Sequence, residues 1–535
     1  MTNDTSLDKK ELFGHPIGLF ILFFTEMWER FSFYGMKALL VFYLTKYHLF
    51  TDSNSNLLVG SYAALVYAIP VVGGFIADRY LGFRKAIVFG GILLVLGHIG
   101  MAYEGNAATK SIQGVIEQDT FALQVFYLSL AFIIIGVGFL KANISSLVGE
   151  LYEKGDNRRD SGFTIFYMGI NLGSVLSTII CVWLGEKYGW SYGFGAAGVG
   201  MFFGLITFIY GRKYFQGKGE STNPLALEKK VFGIKNEYLI YILATLSTVV
   251  IWQMVQSHSV VQNLLIVAGA ISFIYIVYYA ITQLGKVDRE RLFALTILIV
   301  FTVIFWALFE QAYTSLNFFA DRAMDRTLFE FSFWNLNPFS DKFLVFTEYV
   351  MQPDAGQFLS LNGIFIVILA PVFAWLWVKM GKYNPNTAVK FSLALMLVGL
   401  GFGSLVLGIN LSGLGQVAAI WLVITYLLHT MGELCLSPVG LSAVTKLSPA
   451  KIVGFMMGVW FLATASSEFI AGILANIAAI DTANGEAPDL NLAKQSYLKL
   501  FEYLFYTGIG FGFLLLILSP LIKKLMNGVD KELNN

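Results

Sequence analysis

The residues with the clearest chemical potential form the stretch Glu26-Met-Trp-Glu29-Arg30, which is followed by Lys37 in a segment that is otherwise apolar. At helical spacing the first three charges lie at i, i+3 and i+4 and share one face, with Lys37 about two turns further along it. Each charge near the centre of a bilayer costs roughly 2.5–3.5 kcal/mol on insertion scales, so such a cluster usually marks a pathway for an ion or a substrate. The alternative is a buried ion pair with a purely structural role.

The composition indicates where this helix lies. The chain has 535 residues, of which 56% are hydrophobic and 13% are charged, whereas soluble proteins carry about 25% charged residues. We therefore expect a polytopic membrane protein. The formal net charge is +1 and no long basic run is present, so nucleic-acid binding is not indicated.

Several kinds of chemistry lack their usual sequence patterns. Cys181 and Cys435 each lie in an apolar run and are expected to be small packed side chains rather than a disulfide or a metal pair. The sequence contains no histidine cluster with metal spacing and no Gly-x-Ser-x-Gly motif. An intramembrane enzyme is therefore not favoured, and no cofactor is expected.

Apolar stretches of about 20 residues predict about 14 transmembrane helices. We predict an N-terminal six-helix bundle over residues 1–213, a linker with two extra helices over 214–290, and a C-terminal six-helix bundle over 291–535. Lysines and arginines collect in loops that all fall on one side of this arrangement. The positive-inside rule makes that side cytoplasmic, together with both termini.

Charged residues occupy corresponding helices of the two halves. The first helix of the first half carries Glu29 and Arg30, and the first helix of the second half carries Glu310. The fourth helix of each half ends with a charge, Lys141 in one and Glu433 in the other. This placement is expected if a site forms where two repeated halves of a transporter face each other.

Four motifs resemble those of a known family. The loop over 74–85 (GFIADRYLGFRK) resembles the signature loop of the major facilitator superfamily. The stretches over 26–35 (EMWERFSFYG), 166–174 (FYMGINLGS) and 432–442 (GELCLSPVGLS) together resemble the proton-coupled oligopeptide transporter (peptide transporter) family within it. The resemblance implies an all-α major facilitator fold of two six-helix bundles plus an extra two-helix hairpin.

The resemblance also implies a function and a site. It implies proton-coupled import of di- and tripeptides by alternating access in the cytoplasmic (inner) membrane of a bacterium. The implied partners are short peptides, protons and membrane lipid, and no obligate protein partner is indicated. The implied proton-coupling residues are Glu26, Glu29, Arg30, Lys141 and Glu310. The implied substrate-binding residues are Tyr34, Lys37, Tyr67, Lys141, Asn171, Trp306, Gln311, Asn362, Glu433, Ser437 and Trp460.

The sequence departs from the family pattern at four positions. Lys37 stands where arginine is usual, Phe33 replaces a tyrosine, and Gly363 replaces a proline. Glu468 adds a membrane carboxylate, which we expect either to pair within the C-terminal half or to face the cavity. Transport of another solute on the same scaffold, such as nitrate, a modified amino acid or a peptide-like drug, stays open as the alternative, and so does a receptor that transports nothing.

Overall fold

The computed structural model describes residues 11–153, 156, 158–336, 344–480 and 488–529. Within these residues, thirteen helices are long and apolar enough to cross a membrane. Helix α1 (Ile17–Phe42) is also long enough, but its four charges set it apart from the others. Together with α1, the thirteen helices confirm the prediction of about 14 spans.

The first half contains six long helices. They are α1 (Ile17–Phe42), α2 (Asp52–Ile76), α3 (Phe83–Met101), α4 (Thr120–Glu150), α5 (Arg158–Tyr188) and α6 (Trp190–Gly211). Short polar side chains fix where some of them begin, because they accept hydrogen bonds from the first free N–H groups. Thr51 Oγ1 accepts from Asn54 N at 3.2 Å, and Asp119 Oδ1 accepts from Ala122 N at 3.0 Å. The backbone N–H groups of Ala122 and Asn106, which both donate to this carboxylate, hold the pKa of Asp119 below its usual value.

The linker contributes a short helix and two long ones, α7 (Pro224–Glu228), α8 (Asn236–Val255) and α9 (His258–Gln283). Helix α8 packs on the first half, where Tyr241 stacks on Phe89 with ring centroids 4.8 Å apart. Helix α9 reaches the second half, where Tyr275 meets Phe455 edge to face at 4.8 Å. Most of the remaining surface of both helices is apolar and exposed, as expected of a hairpin that faces lipid.

The second half contains α10 (Lys286–Phe309), α11 (Ser315–Arg322), α12 (Ser360–Met380), α13 (Thr387–Leu411), α14 (Ile420–Leu447), α15 (Val453–Ala475) and α16 (Leu490–Leu525). A 3₁₀ turn over Glu310–Tyr313 separates α10 from α11 and so breaks the first span of this half. Such breaks at membrane depth are tolerated where the backbone lines a cavity or is buried in protein. The predicted boundaries at 213/214 and 290/291 stay predictions.

Strands lie only outside the spans of the described chain, in pairs. The antiparallel pairs are β1 (Glu11–Leu12) with β2 (His15–Pro16), β3 (Thr109–Lys110) with β4 (Ile116–Glu117), β5 (Lys230–Val231) with β6 (Ile234–Lys235), and β8 (Phe329–Leu336) with β9 (Leu344–Met351). The one parallel pair among the described residues joins β7 (Met324–Asp325) to β10 (Val417–Ala418). We call the end of the molecule with β8 and β9 the hairpin end, and the opposite end, which carries the loop over 77–84, the basic end. Residues 337–343, between β8 and β9 in the sequence, lie outside the described residues.

Contacts between the two halves are concentrated at the hairpin end. Arg322 on α11 forms a bidentate pair with Asp52 on α2: Nη1 donates to Oδ2 at 2.5 Å and Nη2 donates to Oδ1 at 2.8 Å. Ile480 N donates to the same carboxylate at 3.0 Å. Helices α2 and α15 approach so closely that a Cβ on Gly472 would lie 2.6 Å from Asn56 O. The two halves are therefore closed against each other at this end.

Replacing Asp52 by asparagine is expected to weaken this closure. The bidentate charge-assisted pair with the mostly buried Arg322 would be lost, at a cost of about 2–3 kcal/mol. A lower melting temperature in detergent would show it. The matched control is Asp321→Asn, which breaks a pair with the part-exposed Lys46 at the same end and should cost less than about 1 kcal/mol. Equal melting temperatures for the two variants would contradict the assignment.

Candidate functional site

The charge cluster of α1 folds onto itself. The Nε atom of Arg30 contacts Glu26 Oε1 at 2.9 Å, across the i, i+4 spacing of one helix face, and it contacts Glu29 Oε2 of the preceding residue at 2.6 Å. All three side chains are almost completely buried. Glu26 Oε2 and both carboxylate oxygens of Glu29 accept no hydrogen bond from the described residues. One guanidinium is therefore shared by two carboxylates and does not satisfy all of their oxygens.

Lys37 forms the main polar link between the halves near the cavity. Its Nζ atom donates to Glu310 Oε2 at 2.9 Å and to the two carboxylate oxygens of Glu468 at 3.0 and 3.1 Å. It also lies over the ring of Tyr313, 4.2 Å from the centroid. The side chain of Lys37 is only 2% exposed. In this state its ammonium is occupied by protein, so it does not offer a free cation to a substrate carboxylate.

Both expectations for Glu468 were wrong in this structure. Its carboxylate lies on α15 of the C-terminal half, but it pairs with Lys37 of the first half and it is not among the residues that line the cavity described below. The physical reason is the close crossing of α2 and α15, which brings α15 within reach of α1. The sequence showed an unusual carboxylate, and only the packing of the two halves assigned its partner.

Lys141 does not join the α1 cluster. Its Nζ atom lies 3.7 Å from the ring centroid of Tyr67 on α2, as in a cation–π contact. Among the described residues it makes no ion pair, whereas Arg30 and Lys37 each hold two carboxylates. The resemblance groups Lys141 with Glu26 and Glu29 as proton-coupling residues, but no ion pair among the described residues joins them in this state. The predicted role of Lys141 in substrate binding stays a prediction.

A cavity of about 270 Å³ lies between the halves beside these clusters, close to the lower limit of about 300 Å³ for small-molecule sites. Its lining includes the predicted residues Tyr34, Tyr67, Asn171, Trp306, Glu310, Asn362, Glu433 and Ser437. Tyr167 also lines it and is 43% exposed, so the cavity is not sealed. The sequence analysis did not assign Tyr167 a role, although it lies in the motif over 166–174.

The second half supplies the polar wall of this cavity. Asn362 Nδ2 donates to Glu433 Oε2 at 2.9 Å and to Thr430 Oγ1 at 3.1 Å, which fixes the carboxylate across two helices. Ser437 Oγ is buried and has no hydrogen-bond partner among the described residues. On the opposite wall, Asn171 Nδ2 donates to Tyr167 O one turn back in its own helix. Glu433 and the hydroxyl of Ser437 are thus placed to bind a donor group of a ligand.

Four predicted substrate residues lie outside the cavity lining: Lys37 and Lys141, described above, and Gln311 and Trp460. The amide of Gln311 donates to Ala471 O at 3.0 Å and accepts from Ser315 Oγ at 2.7 Å, so it holds the 3₁₀ turn against α15. Trp460 packs its ring against α14, where a Cβ on Gly440 would lie 2.5 Å from it. Their predicted contacts with substrate stay predictions.

Two of the departures from the family pattern have local explanations. Phe33 is buried, and the guanidinium of Arg30 lies 5.6 Å from its ring centroid, so the ring covers the charge cluster. Gly363 lies where α12 meets α5, and a Cβ there would be 2.6 Å from Val175 Cγ2. The glycine lets the halves approach at this crossing.

The site as a whole carries more negative than positive groups. Its carboxylates are Glu26, Glu29, Glu310, Glu433 and Glu468, and its cations are Arg30, Lys37 and Lys141. Buried carboxylates in excess of cations favour the binding of protons or of a cationic group. Among the described residues, no group of three or more His, Cys, Asp or Glu side chains could hold a metal ion.

A helical membrane protein in two halves, with a polar cavity between them that carboxylates line, has the architecture of the secondary transporters. Comparisons with known proteins identify the family of transporters. The sequence profile of the POT family matches residues 84–340 and 344–490. The chain belongs to the POT family.

Individual relatives match over almost the whole chain. The chain is 38% identical to an uncharacterized transporter, YclF, of Bacillus subtilis (strain 168), with 98% of each chain covered. It is 36% identical to a di-/tripeptide transporter of Lactococcus lactis subsp. cremoris, over 97% of this chain and 98% of that one. A crystal structure of a mutant of peptide transporter POT in complex with alafosfalin aligns with a TM-score of 0.78 and 36% identity, covering 98% of each chain. These relatives confirm the family and the fold that the motifs predicted.

Proposed function

We propose that this protein imports short peptides together with protons across the cytoplasmic membrane of a bacterium. The observation that carries the proposal is the cavity between the halves, which has a carboxylate wall at Glu433 and lies beside a buried proton-binding cluster on α1. The names of the relatives support peptides as the substrate class. The basic end is the cytoplasmic side by the positive-inside rule, and both termini lie there.

A peptide presents an ammonium at one end and a carboxylate at the other, and the site offers a partner for each. Glu433, held by Asn362, is placed to bind the ammonium. Lys141, which has no ion pair among the described residues, is the cation available to the carboxylate. Tyr34 and Trp306 provide aromatic surface for varied side chains.

Protons couple to this site through Glu29. Its buried Oε1 atom has no donor, so a proton bound there satisfies it and weakens the attraction to Arg30. Arg30 is then released from Glu29, and Lys141 can leave the ring of Tyr67 and pair with a carboxylate of the α1 cluster. The proton thereby biases the conformation without any covalent step.

Transport should be tested with purified protein in proteoliposomes. An imposed inward proton gradient should drive accumulation of labelled dialanine, and an uncoupler should abolish it. Protein-free liposomes provide the background. Uptake that does not depend on the gradient would contradict proton coupling, and competition by a panel of solutes identifies the substrate class.

The lining of the cavity also bears on the alternative substrates. Because the lining is anionic, it disfavours nitrate. The ammonium of Lys37 is already paired with protein carboxylates, which favours, as the second candidate, peptide-like solutes that lack a free carboxylate.

Replacing Glu433 by glutamine is expected to raise the KM for dialanine by about 10- to 100-fold, because one charge-assisted hydrogen bond to the peptide ammonium is lost. The KM should be measured as gradient-driven uptake at increasing peptide concentration. An N-acetylated peptide, which has no ammonium, should lose little further affinity. The control is Glu186→Gln, which removes a carboxylate that pairs with Lys46 outside the cavity. An unchanged KM in the Glu433 variant would show that the ammonium binds elsewhere.

A further inference from the structure

The unusual carboxylate Glu468 shares a single ammonium with Glu310. Both of its oxygens lie 3.0–3.1 Å from Lys37 Nζ, and Glu310 Oε2 lies 2.9 Å from the same atom. The side chain of Glu468 is 4% exposed and that of Glu310 is 11% exposed. The group therefore consists of two largely buried carboxylates and one buried cation.

This arrangement leaves an excess negative charge unless a proton is present. Because they contact the same nitrogen, the carboxylate oxygens lie within about 6 Å of each other, where like charges in a buried site repel strongly. One ammonium can balance only one carboxylate. The state of lower energy has one proton bound to the pair, as in other carboxylate pairs that share a site.

The surroundings do not supply the missing positive charge. The ionisable side chains that interact electrostatically with Glu468 are Lys37 on α1, Glu310 and Tyr313 in the 3₁₀ turn, Tyr62 and Tyr67 on α2, and Lys141 on α4. Lys141 is the only second cation in this set, and it lies against Tyr67 without forming an ion pair among the described residues. The tyrosines are neutral and cannot balance a carboxylate.

We propose that Glu468 is a further proton-carrying residue of the transport cycle, which shares one proton with Glu310 beside Lys37 while the hairpin end is closed. The proposal rests on the proposed function, and it adds a second proton site to that of Glu29. The step is a simple proton transfer: an O–H bond forms on the carboxylate pair when the hairpin end is open to solvent, and it breaks when the proton passes to water in the cavity.

The positions of Glu310 and Glu468 account for both the uptake and the release of the proton. Glu310 contacts Lys37 and also lines the cavity, so a proton shared with Glu468 can leave through Glu310. Lys37 belongs to the first half and the two carboxylates to the second. Opening of the hairpin end must therefore separate them, which exposes the pair to protons from that side.

The test measures the number of protons that accompany each peptide. In proteoliposomes the ratio follows from the membrane potential at which net peptide flux reverses under a fixed peptide gradient. Glu468→Gln should lower the ratio by one proton per peptide, and Glu468→Asp should retain the wild-type ratio. The matched control is Ser467→Ala on the same helix. Among the described residues the Ser467 hydroxyl donates only to Thr464 O of its own turn, so its loss should leave the ratio unchanged. A wild-type ratio in Glu468→Gln would overturn the proposal.

A spectroscopic measurement covers the case in which Glu468→Gln does not fold. Infrared difference spectra should show a band of a protonated carboxyl group in the wild type that is lost in Glu310→Gln, because Lys37 and Glu468 then balance one to one. Persistence of every carboxyl band in Glu310→Gln would overturn the shared proton. Failure of the proposed function is distinct from both results, since the wild-type protein would then show no gradient-driven peptide uptake at all.

Discussion

Glu29→Gln is expected to reduce proton-driven peptide uptake by about 100-fold while exchange of peptide across the membrane continues. Glutamine has the shape of the protonated carboxyl group but cannot release a proton, so the conformational change remains possible and the coupling is lost. A factor of 100 corresponds to about 2.7 kcal/mol, which is within the cost of removing one member of a buried charge cluster. Uptake under a proton gradient and counterflow without one should be measured on the same proteoliposomes.

Ser32→Ala provides the control for this prediction. Ser32 lies within one turn of the cluster and is fully buried, and among the described residues its hydroxyl donates only to Glu29 O of its own helix. Its replacement should leave uptake and counterflow close to wild type. Accumulation by Glu29→Gln at the wild-type level would show that the proton is carried elsewhere, and loss of counterflow as well would indicate a structural role of the α1 cluster.

Lys37→Met is expected to have the largest effect on stability. It removes the ammonium and leaves Glu310 and Glu468 buried without a counter-charge, a change that typically costs about 3–5 kcal/mol. The melting temperature should fall and gradient-driven uptake should be lost, because the hairpin end no longer closes on its central ion pair. Thermal unfolding in detergent and uptake in proteoliposomes measure the two effects.

Two further variants separate the effect of the lost charge from the effect of altered packing. Lys37→Arg keeps the cation and should retain most of the stability. The triple variant Lys37→Met, Glu310→Gln, Glu468→Gln removes all three charges and should recover stability without recovering coupling, because a neutral buried site is often as stable as a buried ion pair. If Lys37→Met melts at the wild-type temperature, the three residues do not act as a charge cluster.

Because Lys37 is paired with two carboxylates, the two lysines of the site differ in their availability to a substrate. The resemblance implied that Lys37 and Lys141 both bind substrate. In this structure Lys37 serves the closure of the hairpin end, and Lys141 rests on Tyr67 beside the cavity. Under the proposed function, we expect Lys141 to bind a substrate carboxylate in this state, and Lys37 to be available only when the two halves separate at the hairpin end.

Much of the architecture could be predicted from the sequence because it depends on local properties. Apolar stretches of sufficient length define the spans, and the spacing of Glu26, Glu29 and Arg30 places them on one face of α1 wherever that helix lies. The pairing of Arg30 with Glu26 follows from that spacing, whereas the contact of Arg30 with the adjacent Glu29 is seen only in the structure. The motifs were specific enough to predict the family, which the comparisons confirmed.

The partners of the other charges were decided by tertiary structure. Lys37 contacts residues 273 and 431 positions away, and these contacts exist only because α1, the 3₁₀ turn after α10, and α15 meet when the hairpin end is closed. The same closure leaves Lys141 without a carboxylate among the described residues. Helix periodicity states which side chains share a face of one helix, but the relative position of two halves depends on packing between helices and on the conformational state. The sequence by itself thus determined which charges enter the membrane, and the packing of the halves decided which of them neutralise one another.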